Sequence, residues 1–186
     1  MSEAFDFRHV LSEEDYLKLE ENGAVRHEFV DGIMYAMADV SLPHNELVNE
    51  LLFRLRSHLP PSCRTFTLDA KVRIEQKKSS LFYYPDLMVA CDSIKKGRHY
   101  IENPILIAEI LSPSTERSDR IEKLAAYSQI PSLQDYVLVA QDVPKIEVFR
   151  RSEGWRREEF YREHTITLGS VEIQLSVQEL YARIGF

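Results

Sequence analysis

The first third of the chain carries apolar residues in spacings that predict a helix, a hairpin and a longer helix. Ser12 suits an N-cap and Gly23 a C-terminal stop, and the apolar residues between them fall at helical spacing. Two β-like runs, VRHEFV and IMYAM, flank Asp31-Gly32, which is a strong hairpin signal. From 43 to 58 apolar residues again recur at helical spacing and predict a second helix with one buried face.

The middle of the chain predicts strands. Apolar residues alternate with polar ones from 66 to 74, which predicts one long strand with a single face on the core. Two nearly continuous apolar runs follow, PDLMVACD from Pro85 and PILIAEILSP from Pro104. Runs of this kind are typical of central strands that are covered on both faces.

The C-terminal half completes an α/β pattern. Its predicted elements are a turn and N-cap at 112–115, a third helix at 119–129, strands at 136–140 and 146–149, a hairpin around Gly154, and a terminal helix in LSVQELYARIGF. The order of all these elements predicts a mixed β-sheet flanked by helices, with an N-terminal helix and hairpin.

The size of the chain and its hydrophobic content predict one domain. With 186 residues, of which 44% are hydrophobic, one sizeable core can form, so we expect a single domain over 1–186. No run approaches the roughly 18 apolar residues that a membrane span needs, and the N-terminus MSEAFDFRHV is acidic and polar, unlike a signal peptide. We therefore expect a cytoplasmic protein with no membrane partner.

The net charge of −7 argues against a protein that coats nucleic acid nonspecifically, because such binding depends on neutralising phosphates. It does not exclude a nuclease. Carboxylates around a metal add to the negative count, and the bound cation restores the attraction for phosphate. The sequence contains no Gly-x-x-x-x-Gly-Lys loop, no Gly-x-Ser-x-Gly elbow and no His-Glu-x-x-His helix, so mechanisms built on those motifs are excluded.

The two cysteines, Cys63 and Cys91, lie in apolar, strand-like surroundings. Such surroundings favour reduced, buried thiols over a disulfide or half of a zinc site. We expect no functional role for either cysteine.

Glu109 lies within the apolar run ILIAEIL, where strand alternation places it on the same face as Ile107 and Leu111. A carboxylate in such a place needs a metal, a basic side chain or a cluster of hydrogen bonds, because an unpaired buried ion costs several kcal/mol. Asp86, at the start of the neighbouring apolar run, can supply a second carboxylate. Two carboxylates, a backbone carbonyl and waters make the oxygen-rich shell that Mg²⁺ or Mn²⁺ prefers. A buried ion pair or a strand-end cap is the structural alternative.

The predicted third helix has two distinct faces. Arg120, Lys123 and Tyr127 fall three and four residues apart on one face, and Ile121 and Leu124 lie on the other. This spacing predicts that the apolar face packs and that the other face presents cations toward the strand end that carries the carboxylate. A lysine there can polarise a phosphate or help to deprotonate water. A solvated face, or a salt bridge from Lys123 to Glu109, is the structural alternative.

These motifs together resemble a known family. YPDLMVACD followed by PILIAEILSPSTERSDRIEKLAAY resembles the family of restriction endonucleases of the Uma type, within the PD-(D/E)XK nuclease superfamily. HEFVDGIMYAM and LPHNELVNELL resemble the family's opening motifs, and the similarity runs from about Arg26 to the C-terminus. Pro-Asp, a strand-embedded Glu, Ser-Pro-Ser-Thr and Asp-Arg-x-x-Lys in this order form a specific combination.

The resemblance implies a restriction-endonuclease-like fold that hydrolyses phosphodiester bonds of DNA, with Asp86 and Glu109 holding Mg²⁺ or Mn²⁺. The superfamily's lysine normally stands two residues after the glutamate, where this chain has Leu111. The family's pattern instead singles out Lys123 on the following helix. The resemblance also assigns Glu28, in the opening motif, a place near the metal, where a third carboxylate can orient water.

Four further residues are candidates for a supporting role. His44, at the start of the second helix, can contact phosphate or simply serve the helix start. The Tyr127 hydroxyl can hold Glu109 or Lys123, or can remain exposed while its ring packs. Asp119 and Arg120 can be a helix-dipole charge and a phosphate ligand, or a surface pair.

Two alternatives remain open at this point. Arginines around the late hairpin can hold a nucleic-acid backbone, or they can belong to an ordinary solvated hairpin, because glutamates are interspersed among them: Arg150, Arg151, Arg156 and Arg157. Two strands of duplex DNA make a twofold dimer of the nuclease reasonable. The rival function is a non-catalytic binding or regulatory homodimer that retains the nuclease fold, and the acidic net charge slightly favours a dimer without a nucleic-acid partner.

Overall fold

Two serines start the first two helices of the computed structural model, which describes residues 11–37, 39–76, 80–91 and 99–185. Helix α1 (Glu13–Asn22) begins after Ser12 and helix α2 (Leu42–Arg56) after Ser41, and each serine side chain accepts a backbone N–H hydrogen bond. The hairpin between them turns at Asp31-Gly32, both of which have positive φ, as a tight hairpin turn requires. The predicted helix, hairpin and helix of the opening are confirmed.

Thirteen strands are present in the described ranges: β1 (His27–Val30), β2 (Ile33–Ala36), β3 (Arg64–Thr67), β4 (Lys71–Ile74), β5 (Leu81–Tyr83), β6 (Leu87–Ala90), β7 (Tyr100–Ile101), β8 (Leu106–Leu111), β9 (Asp135–Ala140), β10 (Lys145–Arg150), β11 (Arg157–Tyr161), β12 (Thr165–Leu168) and β13 (Ile173–Ser176). They form a five-stranded sheet in the order β2-β1-β5-β4-β7, a six-stranded sheet in the order β11-β10-β9-β8-β6-β3, and the hairpin of β12 and β13. The β4–β7 and β8–β9 pairs are parallel and the others are antiparallel. The mixed α/β architecture agrees with the sequence prediction.

The six-stranded sheet is covered on both faces, as the two apolar runs predicted. One face packs against α2 and the C-terminal hairpin, in a cluster that includes Leu47 and Leu106. The other face packs against β4, β5 and the helical segment that follows β8, in a cluster that includes Ile107 and Tyr127. Glu109 lies two residues after Ile107, so strand alternation places its carboxylate on this second face.

The single long strand predicted at 66–74 was wrong. The chain breaks into β3 and β4, which belong to different sheets, and Leu68 between them has φ 51°. Leucine is uncommon in this left-handed region, where glycine and asparagine are the usual residues. The alternation continues through the break, so the hydrophobic pattern gives no sign of the change of sheet.

The third helix differs from its prediction in bounds and in orientation. It consists of α3 (Glu116–Ser118), a π-helical turn (Asp119–Lys123) and α4 (Leu124–Tyr127). Its buried side includes Lys123 and Tyr127, whereas Ile121 is 59% exposed, which is the reverse of the predicted faces. The wider π turn shifts the register of the side chains, and the buried carboxylates described below draw Lys123 inward.

The C-terminal segment forms a shorter helix than predicted. Helix α5 (Val177–Leu180) covers four residues, and the segment before it pairs with β12 as β13. In this preceding segment, residues 173 and 175 are buried and residues 172 and 174 are exposed, which is the two-residue period of a strand.

The prediction of free thiols was also wrong, because Cys63 and Cys91 form a disulfide. The antiparallel register of β3 and β6 pairs Arg64 with Ala90, so the next residues outward, Cys63 and Cys91, lie opposite each other. Neither cysteine is fully buried. Pairing of two cysteines at a sequence separation of 28 follows from strand register, which composition does not reveal.

Candidate active site

Strand register brings Asp86 and Glu109 together. Leu87 pairs with Ala108 in the antiparallel β6–β8 ladder, so Asp86 and Glu109 lie opposite each other one residue further on. Each carboxylate accepts a backbone N–H from the other strand: Asp86 N–H donates to Glu109 Oε2 at 3.1 Å, and Ile110 N–H donates to Asp86 Oδ2 at 2.7 Å. These reciprocal bonds fix both carboxylates at the end of the strand pair.

Lys123 lies among three carboxylates. Its Nζ is 3.1 Å from Glu109 Oε1, 3.1 Å from Asp119 Oδ1 and 3.3 Å from Glu28 Oε1. Its side chain is 9% exposed, so the ammonium is nearly removed from water. Since α3 to α4 follow β8 directly, the short connection places Lys123 over the strand end that carries Glu109.

Two tyrosines complete the surroundings of Glu109 and Lys123. The Tyr127 hydroxyl is fully buried and donates to Glu109 Oε1 at 2.9 Å. The ring of Tyr83 has its centroid 6.0 Å from Lys123 Nζ, and it also packs edge-on against the Tyr127 ring. The structure therefore does not leave the Tyr127 hydroxyl exposed.

His44 contacts Asp86 from the start of α2. Its Nε2 is 3.1 Å from Asp86 Oδ2, and its backbone N–H donates to the Ser41 side chain. His44 is 4% exposed, and its buried Nδ1 has no hydrogen-bond partner among the described residues. The residue thus lies in the first turn of α2 and also reaches the carboxylate pair.

The electrostatics of the cluster follow from burial and from an excess of carboxylates. Burial raises the pKa of Glu109 to about 8, even though the charge of Lys123 opposes this rise and the charge of Asp86 adds to it. Burial alone would lower the pKa of Lys123, but Glu109, Glu28 and Asp119 together raise it well above its ordinary value. Lys123 therefore stays charged, and the cluster retains more negative groups than positive ones.

A cleft of about 470 Å³ opens over this cluster, and its lining includes Glu28, His44, Asp86, Glu109, Asp119 and Lys123. Asp86 is 14% exposed on its side chain, and none of its contacts described above uses Oδ1. One carboxylate oxygen of the pair thus remains for a ligand in the cleft. The cleft thus contains a carboxylate oxygen that can bind a cation and, beside it, a buried ammonium that can bind an anionic group.

The oxygen donors here suit a hard cation. Within the described ranges no group of three or more His, Cys, Asp or Glu side chains is arranged to enclose a metal ion. Mg²⁺ does not need such an enclosure, because it commonly binds through one or two carboxylates while keeping several waters and substrate phosphates. The Asp86–Glu109 pair fits this mode of binding, and it does not fit a closed zinc or calcium site.

Arg120 is not among the described residues that line the cleft. Its guanidinium forms two hydrogen bonds with Glu147, at 2.9 and 3.1 Å, and it also pairs with Glu116. Glu147 is 1% exposed and pairs with Lys145 as well. Arg120 therefore ties the helical segment to β10, and its predicted contact with substrate has no support in this arrangement.

Glu147 should make the free energy of unfolding depend on pH. Burial raises its pKa, but hydrogen bonds from Arg120 and Lys145 outweigh burial and hold the pKa below the ordinary 4.5. The resulting stability is fully present above pH 4.5 and is lost as the pH falls through the lowered value. We expect Glu147→Gln to be less sensitive than the wild type to a change from about pH 6 to about pH 3, measured as the free energy of unfolding in urea. An equal loss in both proteins would contradict this origin.

The arginines of the late hairpin are engaged within the protein. Arg150 pairs with Asp135 and Glu158, and Arg151 donates to backbone carbonyls, including that of Leu133 at 2.6 Å. The other two pair with nearby glutamates: Arg156 with Glu153 and Arg157 with Glu159. Arg150 and Arg151 are thus held within the protein, whereas Arg156 and Arg157 are 79% and 53% exposed on the hairpin surface.

Asp119 is more deeply buried, and closer to Lys123, than its sequence position indicated. It was interpreted as a helix-dipole charge or a surface pair, yet it is 1% exposed and contacts Lys123 at the bottom of the cleft. The four-residue spacing of Asp119 and Lys123 on one helical segment was the available sign. Tyr83 was missed, because an aromatic residue in an apolar run gives no sign of facing a lysine.

Comparison with known proteins supports a family assignment. Residues 13–178 match the Uma2 family, whose description is "Putative restriction endonuclease". An uncharacterized protein of Synechocystis sp. (strain PCC 6803) is 32% identical over 180 residues, covering 95% of this chain and 94% of the relative. A second uncharacterized protein of the same organism is 31% identical over 150 residues, covering 76% of this chain and 81% of the relative.

The fold also has a solved counterpart. The crystal structure of a putative nuclease belonging to DUF820, from Anabaena variabilis ATCC 29413, superposes with a TM-score of 0.77 at 18% identity, covering 94% of this chain and 99% of the other. In the part of the chain that the structure describes, every helix is too short or too polar to cross a bilayer. With nearly the whole length matched, this chain belongs to the Uma2 family of putative restriction endonucleases.

Proposed function

We propose that this protein is a metal-dependent endonuclease that hydrolyses phosphodiester bonds of DNA. In this proposal Asp86 and Glu109 hold Mg²⁺ or Mn²⁺, and Lys123 stabilises the attacked phosphate. The observation that carries it is the pair of carboxylates locked to each other's strand beside a buried ammonium in one cleft. Membership of a family described as restriction endonucleases supports the same reaction class.

The bound cation supplies Lewis acidity toward the phosphate oxygens. The protein's own groups then set its surroundings. His44 and the Ile110 N–H hold Asp86 in one orientation, and Tyr127 holds Glu109. Such supporting contacts fix the direction of a metal ligand and commonly change metal affinity by roughly ten- to a hundredfold when removed.

Lys123 and Glu28 act toward the substrate. The Lys123 ammonium is oriented by three carboxylates before substrate arrives, so it can meet the negative charge that develops on the phosphate without reorganisation. Glu28 is the most exposed of these three partners, at 21% of its side chain, which leaves it accessible to orient a water molecule in the cleft.

The alternative function is a binding or regulatory homodimer that retains the fold without catalysis. The observation that favours it is that both oxygens of Glu109 already accept hydrogen bonds, as those of a purely structural carboxylate would. The two functions differ in whether the site cleaves a phosphodiester bond, and a homodimer would serve either one. Metal binding tests the site on which the first function depends, and cleavage separates the two.

We expect Mg²⁺ or Mn²⁺ to bind the wild type and to raise its melting temperature, because a ligand specific to the folded state stabilises that state by mass action. The double variant Asp86→Asn, Glu109→Gln should lose this binding in titration calorimetry. Glu147→Gln is the matched control, since it neutralises another buried, ion-paired carboxylate that does not line the cleft. Equal cation affinity in the double variant and the wild type would place the metal elsewhere.

The substrate class is tested with end-labelled duplex DNA and duplex RNA of the same sequence, incubated with the purified protein. Cleavage of the DNA that needs the cation and stops with a chelator is the expected result. Cleavage of RNA alone would contradict the proposed substrate, and binding of DNA without cleavage would favour the non-catalytic alternative.

A further inference from the structure

A second pocket of about 320 Å³ lies beside the candidate active site, between the end of α1, β4 and β7. Its lining includes Glu20, Phe66, Lys71, Tyr84 and Tyr100. Tyr84 also lines the cleft that contains Asp86, so the two spaces meet at this residue. The pocket is therefore adjacent to the cleft.

Lys71 is a buried cation in this pocket. It is 5% exposed, and its Nζ lies 5.4 Å from the centroid of the Tyr16 ring and 5.6 Å from that of Tyr84. Among the described residues no carboxylate forms an ion pair with it. Burial lowers the pKa of Lys71 below its ordinary value, which the charge of Glu20 opposes. The ammonium thus rests on two aromatic faces and retains donors for a ligand.

Glu20 supplies an acceptor in the same pocket. It is 1% exposed, and its Oε1 accepts the His27 N–H at 2.9 Å. Its Oε2 is buried and has no close hydrogen-bond partner among the described residues, with His27 Nδ1 at 3.5 Å and the Tyr84 side chain as the other polar group beside this carboxylate. A buried acceptor without a close partner is destabilising, so a ligand N–H donor at this oxygen would be stabilising.

The charges around the pocket disfavour an anion. Arg26 pairs weakly with Asp69 at 3.4 Å, which leaves Glu20 and Glu21 against the single charge of Lys71. A neutral ligand with both donors and acceptors on its edge fits this lining better than a phosphate. The aromatic rings at the pocket's border suit a flat ligand, because bases stack on such rings.

We propose that this pocket binds a guanine base of the nucleic-acid strand that enters the candidate active site. The inference rests on the proposed function for the identity of the strand, and on the pocket's own geometry for the base. Consecutive tyrosines lie beside the two lysines: the ring of Tyr83 faces Lys123, and the ring of Tyr84 faces Lys71. A base displaced from its stack can thus occupy one space while a phosphate of the same strand occupies the other.

Guanine is the base whose edge matches these two groups. It offers two neighbouring N–H donors, N1–H and N2–H, to a carboxylate such as Glu20, and the O6 acceptor beside them to an ammonium such as Lys71. Adenine, cytosine and thymine do not offer two adjacent N–H donors beside a carbonyl acceptor on one edge. The pocket would therefore select the base beside the bond that is cut.

The test is calorimetric binding of the 5′-monophosphates of deoxyguanosine, deoxyadenosine, deoxycytidine and thymidine in chelator-treated buffer. All four nucleotides carry the same phosphate, so a difference in their affinities reports the contribution of the base. We expect the guanine nucleotide to bind roughly tenfold or more tightly than the others, the usual worth of a matched pair of base contacts. Lys71→Met and Glu20→Gln should each lose roughly tenfold of that preference. Lys18→Met, on the exposed surface of α1, is the matched control and should retain it.

Lys71→Met should remain folded, because it removes a buried charge that has no ion pair in the described residues, and Glu20→Gln provides an independent second variant. Equal binding of all four nucleotides, no binding of the guanine nucleotide at millimolar concentration, or full preference in both variants would overturn the proposal. The Asp86→Asn, Glu109→Gln double variant should keep the guanine preference. Its result separates failure of this pocket from failure of the proposed nuclease activity.

Discussion

Lys123→Ala is expected to lower the rate of DNA cleavage by roughly a hundredfold or more, typical of losing one preorganised transition-state contact. It should also destabilise the fold by about 3–5 kcal/mol, because Glu109 and Asp119 then lose the cation that compensates their buried charge. Single-turnover cleavage at saturating metal measures the first effect, and urea unfolding measures the second. Cleavage must be measured at a temperature where circular dichroism shows the variant to be folded.

Lys145→Ala is the matched control for this lysine. Lys145 also pairs with two carboxylates, Glu147 at 3.0 Å and Glu159 at 2.9 Å, but it lies outside the cleft. It should lose little cleavage. Lys123→Arg should recover part of the stability and little of the rate, because a planar guanidinium cannot occupy the place of a compact ammonium. Full activity in folded Lys123→Ala would remove this lysine from the mechanism.

Glu109→Gln is expected to reduce metal-dependent cleavage by roughly a thousandfold, equivalent to about 4 kcal/mol of transition-state stabilisation. Without metal, the variant should melt within a few degrees of the wild type. Burial already raises the pKa of Glu109 to about 8, so a neutral side chain relieves a desolvation cost, and Lys123 keeps Asp119 and Glu28 as partners. The rate and the melting temperature should therefore change independently.

Glu147→Gln again provides the control, because Glu147 is also a buried carboxylate with cationic partners, Arg120 and Lys145, but lies outside the cleft. It should retain cleavage at neutral pH. A large loss of melting temperature in metal-free Glu109→Gln, with cleavage reduced only in proportion, would indicate that Glu109 serves as a structural ion-pair partner and has no part in catalysis.

The two carboxylates could be found from sequence because their surroundings are simple. Asp86 and Glu109 stand in short apolar runs bounded by prolines, and such runs predict adjacent central strands. Two central strands that pair bring their polar residues together at one end, as the β6–β8 register does. The hairpin at Asp31-Gly32 was also predictable, because its turn residues determine its geometry.

The orientation of the third helix could not be found from sequence. Helical periodicity assigns Ile121 to the buried face, whereas the structure buries Lys123 and exposes Ile121. Periodicity assumes 3.6 residues per turn and a hydrophobic interior. Here a π turn changes the spacing, and the interior at this point contains Glu109 and Asp119, which attract a cation.

Long-range pairings were also beyond the sequence. Leu68 takes a positive φ and sends the chain from one sheet to the other, although the region lacks the glycine that usually marks such a conformation. The disulfide depends on the register of β3 and β6, which places Cys63 opposite Cys91. Both features arise from how strands pair across the fold, and local propensity carries no information about such pairing.

Nicking of supercoiled plasmid reports directly whether Asp86 and Glu109 hold the cation that DNA cleavage would require. Wild type, the Asp86→Asn, Glu109→Gln double variant and the control Asp15→Asn, on the exposed surface of α1, would be purified side by side and assayed with Mg²⁺, with Mn²⁺ and with chelator. We expect nicking by wild type and by Asp15→Asn that requires the cation, and none by the double variant. Cation-dependent nicking by the double variant at the wild-type rate would show that Asp86 and Glu109 do not hold the cation.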